Sequence, residues 1–141
     1  MDLEPEIEHA LKVIEVPSTL NDAKRPEAVI LREVNRCGYN EDAAFAIKLA
    51  LEEAMINAVK HGNRNDRTKR ITVRYSVTPE QTVILVRDQG RGFAPGVIPD
   101  PTRPDRLPLP NGRGIMLMRA YMTRLYYRAG GCEVCLIKRN E

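Results

Sequence analysis

Three short clusters in this sequence carry residue types and spacings that could do chemistry. The first is Leu51-Glu-Glu-Ala-Met-Ile-Asn-Ala-Val-Lys-His-Gly62. Glu53, Asn57 and His61 are four apart, so on a helix they share one face. Ala46, Ala50, Ala54 and Ala58 keep the neighbouring side low, which lets a ligand approach. Lys48 and Glu52 fall on a different face, as a solvent pair would. Taken alone, Glu53 and Asn57 would more often be ordinary exposed helix residues.

The second cluster is Asp88-Gln-Gly-Arg-Gly92, directly after a strand-like apolar run. A carboxylate at a strand end can accept a hydrogen bond from a ligand amine. Gly90 and Gly92 let the backbone turn sharply and come close to that ligand. Any turn also prefers Asp and Gly, so the motif is weak in isolation. The third is Gly112-Arg-Gly114 at the start of an apolar helical segment. Free backbone N–H groups at a helix N-terminus attract anions, and glycine admits a phosphate closely. A plain loop-to-helix junction uses glycine as well.

The elements that must position these clusters follow from periodicity and punctuation. Residues 11–16 alternate as a short strand that Pro17 ends. Asn21 and Asp22 can cap a helix running to Cys37, with Gly38 as its stop. Asn40 caps a second helix, with Glu41 and Asp42 in its first turn, and Gly62 stands as a left-handed terminal glycine. Residues 70–77 and 82–88 read as a hairpin. Six of the ten prolines then fall between Pro95 and Pro110, in a stretch that cannot be helix or central strand. A loop of that length suits a lid over about residues 93–111. A helix through Met122 and two strands, about 123–129 and 132–138, close the chain around Gly130-Gly131. Paired strands with segregated helices predict an α+β, two-layer sandwich in one domain spanning residues 1–141.

Composition narrows the function classes. The chain has 141 residues and a net charge of +3, enough for one domain with a real core. No run approaches the roughly 18 apolar residues of a membrane span, and the acidic start lacks a signal core, so a cytoplasmic location is expected. Arg64, Arg67, Lys69, Arg70 and Arg74 cluster without interleaved aromatics, which favours a solvated face over nucleic-acid binding. Cys132 and Cys135 have redox-motif spacing, but a strand would point them to opposite faces, and no second Cys/His pair completes a metal site.

Taken in order, the three clusters resemble the N, G1 and G2 boxes of the GHKL (Bergerat-type) ATP-binding superfamily, and the chain is most similar to its anti-sigma-factor serine/threonine kinases. Residues 52–63 and 112–122 carry the likeness most closely. The fold implied has a mixed, mostly antiparallel sheet with helices on one face and a proline-rich ATP lid. The resemblance further implies ATP and Mg²⁺ as cofactors, with Asn57 ligating the metal and Glu53 as general base. Asp88 would hold the adenine amine, Gly90 and Gly92 would shape its pocket, and Gly112 and Gly114 would cradle phosphate. Lys60, His61 and Arg113 would add charge near the phosphates. The partners implied are an antagonist protein phosphorylated on Ser or Thr and a sequestered sigma factor, bound by a possible homodimer, with no direct contact to nucleic acid or membrane. A nucleotide-gated partner-binding protein without kinase turnover is the alternative. Two positions depart from the family pattern. Cys132 stands where much of the superfamily has threonine. Leu109-Pro110-Asn111 stands where the serine kinases can carry a phosphate-binding arginine, so Arg113, Arg103 or Arg106 would have to substitute.

Overall fold

The computed structural model describes residues 3–91 and 121–141. Gly92, Gly112, Arg113, Gly114 and the expected lid lie outside these described residues.

The chain begins with a short helix that periodicity did not reveal, α1 (Pro5–His9), opened by a proline in its first turn, where a missing N–H costs nothing. Strand β1 (Lys12–Pro17) follows, one residue later than expected. The next helix, α2 (Lys24–Arg36), also starts late. Thr19 and Asp22 instead bond each other, the Thr19 hydroxyl donating to Asp22 Oδ2 at 2.6 Å, and the Asp22 N–H donating back to Thr19 Oγ1. Gly38, at φ +78°, turns the chain out of α2 as anticipated. The cap of α3 (Glu41–Asn57) is as the sequence requires: Asn40 Oδ1 accepts from the Ala43 N–H at 2.7 Å. Its buried residues, from Ala43 and Ala46-Ile47 through Ala50-Leu51 to Ala54-Met55, repeat at three and four and form one core-facing stripe.

Strands β2 (Arg70–Val77), β3 (Gln81–Arg87), β4 (Arg124–Arg128) and β5 (Glu133–Arg139) complete a five-stranded sheet in the order β1-β2-β3-β5-β4. Every neighbouring pair is antiparallel, so no parallel pair of the expected mixed sheet occurs among the described residues. Helices α2 and α3 cover one face, with Ile30, Ile47 and Leu51 packed over Val73, Ile84, Val86 and Leu136. The α+β sandwich anticipated from strand and helix order is thus the observed one.

The second face is covered as well. Leu3, Ile7 and Leu11 pack on Val83, Leu85, Cys135 and Ile137. This is why Thr82 to Val86 of β3 is buried without alternation: a strand loses its polar period when both faces are dry. An ion cluster fixes α1 in place. Glu8 meets Arg74 and Arg128 at 3.5 and 3.0 Å, and the buried Glu133 meets the same two arginines at 3.2 and 3.7 Å.

Candidate functional site

Asp88 stands one residue beyond the central strand. The last β3–β5 pair is Arg87 with Glu133. The Asp88 N–H still donates to the Cys132 carbonyl at 2.9 Å, and then the chains part. The Gly90 N–H folds back to Asp88 Oδ1 at 2.8 Å, closing a tight loop. Burial pushes the Asp88 carboxyl up to about 6 from its ordinary 3.8, against the Gly90 N–H and the charges of Lys69 and Arg87. A carboxylate held in that setting gains most from a ligand that brings a hydrogen-bond donor.

Two glycines make room for it. A Cβ at Gly62 would overlap the Asp88 carboxylate, and one at Gly90 would run into the Gly62 carbonyl. Gly62 therefore serves close approach, not the left-handed helix end expected of it: positive φ among the described glycines occurs at Gly38, Gly130 and Gly131. The helix instead widens into a π-turn, Ala58–Gly62, in which the Asn63 N–H reaches the Ala58 carbonyl at 2.8 Å. One extra residue in the turn swings Gly62 against β3, a device common at functional sites.

Between the end of α3, the π-turn, the tip of β3 and the β4–β5 turn lies a cavity of about 100 Å³. Asn57, His61 and Asp88 all line it, so three of the residues singled out by spacing meet there. Ala54 and Ala58 form part of its wall, while Ala46 and Ala50 lie buried in the core. Glu53 is half-buried one turn before Asn57 and is not among the lining residues. Gly90 supports Asp88 from behind.

Lys60 points elsewhere. It lines a groove between α2 and α3 with Lys24, Glu27 and Glu52, because one residue of helical rotation separates it from His61. Glu52 is not simply a solvent partner of Lys48. Burial and the adjoining Glu52 carboxylate push Glu27 up to about 7, despite the charges of Lys48 and Lys24.

The cavity also takes in residues that spacing did not single out for the site. Arg64 and Arg91 stand at its rim and Tyr127 in its wall. Arg64 and Asn65 hold left-handed backbone at φ +52° and +59°. Cys132 lies against the cavity, its thiol donating to the Ala129 carbonyl at 3.0 Å. Cys135 lies in the cluster on the other face of the sheet, so the two thiols diverge as alternation requires. All three cysteines are free, and no group of three His, Cys, Asp or Glu among the described residues could hold a metal. No helix there is long and apolar enough to cross a membrane.

Comparison with known proteins gives a consistent result. Residues 16–138 match the histidine kinase-like ATPase domain family. A serine-protein kinase RsbW of Listeria innocua is 27% identical over 140 residues, covering 87% of each chain. The RsbW of Bacillus licheniformis is 37% identical over 59 residues, 42% of this chain and 37% of its own. Over that stretch the match spans well under half of the relative. A crystal structure of the RsbU and RsbW domains of a Mycobacterium tuberculosis protein shares the fold, with TM-score 0.58 and 21% identity over 91% of this chain and 32% of the other.

Proposed function

The chain belongs to the histidine kinase-like ATPase domain family, and on that premise we propose that its cavity binds ATP with Mg²⁺ and that the protein is a serine/threonine kinase acting as an anti-sigma regulator. The observation that carries this reading is the half-buried Asp88 carboxyl at the cavity wall, packed so closely with Gly62 and Gly90 that neither glycine could carry a side chain. Such a cradle fits a flat heterocycle with an exocyclic amine.

The residues present fit the cofactor in kind. Asp88 would accept from the adenine amine, and Gly62 and Gly90, which have no room for a Cβ, let the Asp88 carboxylate sit in that position. Asn57 offers a single side-chain oxygen within the cavity, which suits Mg²⁺, an ion that fills most of its octahedron with phosphate and water. Arg64, His61 and Arg91 bring donors to the mouth, where phosphates would gain charge-assisted bonds. In this reading Glu53, one turn from Asn57 and outside the cavity lining, would receive the proton of the attacking hydroxyl. Bound ATP would supply the γ-phosphoryl group, whose transfer depends mainly on positioning and charge neutralisation.

The acceptor in this reading is a Ser or Thr hydroxyl of an antagonist protein, and the second partner is a sigma factor sequestered by a homodimer in the cytoplasm. The relatives' name, serine-protein kinase RsbW, supports the serine acceptor of that reading. Calorimetric titration with ATP tests it, with and without Mg²⁺, on the wild type, Asp88→Asn and Asn57→Ala. Binding that is abolished in Asp88→Asn and loses its Mg²⁺ dependence in Asn57→Ala is expected. No binding by the wild type would end the proposal. ATP that binds but is never consumed with any candidate acceptor would leave a nucleotide-gated binding protein.

A further inference from the structure

Asn63 is completely buried, and its side chain uses both amide hydrogens and its oxygen. Nδ2 donates to Ser18 Oγ at 2.9 Å and to the Arg70 carbonyl at 3.1 Å. Oδ1 accepts from the Gln89 N–H at 2.7 Å. Gln89 lies between Asp88 and Gly90, and its own Oε1 accepts from the Arg70 N–H at 2.7 Å. One amide therefore ties together the end of β1, the start of β2, the π-turn and the loop that carries Asp88.

We propose that Asn63 is the positioning residue that sets the Asp88–Gly90 loop for adenine recognition, an inference that rests on the ATP reading above. Asp88 leaves the sheet after its bond to Cys132, so ladder pairing no longer fixes its direction. The bond from Gln89 to Asn63 is the next backbone constraint on the loop, one residue from the carboxylate. Because Asn63 directly follows Gly62 in the chain, it also sets how closely Gly62 approaches Asp88. Asn63 touches no ligand in this arrangement; it acts through Asp88. An aspartate in its place keeps an acceptor for Gln89 but sets a second oxygen against the Arg70 carbonyl, where nothing is left to donate.

Base selectivity is the readout that a merely structural role would not move. A carboxylate aimed at an exocyclic amine selects adenine over guanine, whose carbonyl at that position would face it without a donor. ATP and GTP affinities would be titrated calorimetrically with Mg²⁺ for the wild type, Asn63→Asp and Ser18→Ala, alongside thermal melts. The wild type is expected to favour ATP by roughly a hundredfold, a ratio that Asn63→Asp reduces about tenfold and Ser18→Ala several-fold. A folded Asn63→Asp protein with the wild-type ratio overturns the inference alone. Should Asn63→Asp fail to fold, Ser18→Ala decides in the same way, since it keeps the β-carbon and removes only one acceptor. A wild type that binds no ATP overturns the pocket reading, and this inference with it.

Discussion

Gly62 and Asp88 meet so closely that a single carbon added to the first would overlap the carboxylate of the second. The contact joins the end of the α3 helical run to the tip of the central strand, and it gives the cavity its shape.

Gly62→Ala therefore sets two effects against each other. Alanine in a helical turn ordinarily stabilises by about 1 kcal/mol over glycine. Here the added carbon must push Asp88 aside, so ATP affinity is expected to fall at least tenfold, or about 1.4 kcal/mol, however the melting temperature moves. Titration beside a melt checks this, and unchanged affinity would show that Asp88 does not need this neighbour.

Asp88 makes stability depend on pH. Its folded value, about 6, lies above the ordinary 3.8 because of burial. The stability it contributes is thus fully present below about 4 and lost as pH rises through about 6. Asp88→Asn should melt higher than the wild type above pH ~7, by about 1–2 kcal/mol once partial exposure is allowed for, and should lose that advantage in acid. The wild type's ATP affinity should run the opposite way, dropping below pH ~6 as the carboxyl gains a proton and ceases to accept from the amine. Melts and titrations across that range test both signs.

Glu27 lies beside Glu52 in the groove between α2 and α3. Its folded value of about 7 is raised first by burial and then by the neighbouring carboxylate, so its stabilising effect fades as pH rises through 7. Glu27→Gln is expected to raise the melting temperature by a few degrees above pH ~7 and to change little below pH ~4.5. A shift that is equal at both pH values would show that Glu27 does not hold its proton into the neutral range.

The short helix α1 guards Cys135. Ile7 packs on the cluster that holds this fully buried thiol. Replacing Ile7 with serine should cost about 1–2 kcal/mol of burial and speed labelling of Cys135 by a thiol reagent. ATP binding should be unaffected, because the cavity touches Val86 and Val134 on the other face of the sheet. Unaltered labelling would show that α1 is not what shields the thiol.

The sequence alone determined what depends on local pattern. The helix that carries Glu53 and Asn57, the Asn40 cap and the hairpin expected at 70–77 and 82–88, found at Arg70–Val77 and Gln81–Arg87, follow periodicity and capping chemistry, because each involves residues near in sequence. It also nominated Asp88 and Asn57, whose types suit amine and metal recognition. Only the tertiary structure decided the rest. Gly62 looked like a helix terminus because glycine commonly ends a helical run; its close approach to Asp88, 26 positions on, exists only once α3 docks on the sheet. Asn63 gave no local signal, since its partners lie at Ser18, Arg70 and Gln89. Lys60, next to His61, turned to another groove because a single helical step rotates a side chain by about 100°. The doubly buried β3 and the α1 cover were equally hidden, for which strand is central depends on contacts made across the whole chain.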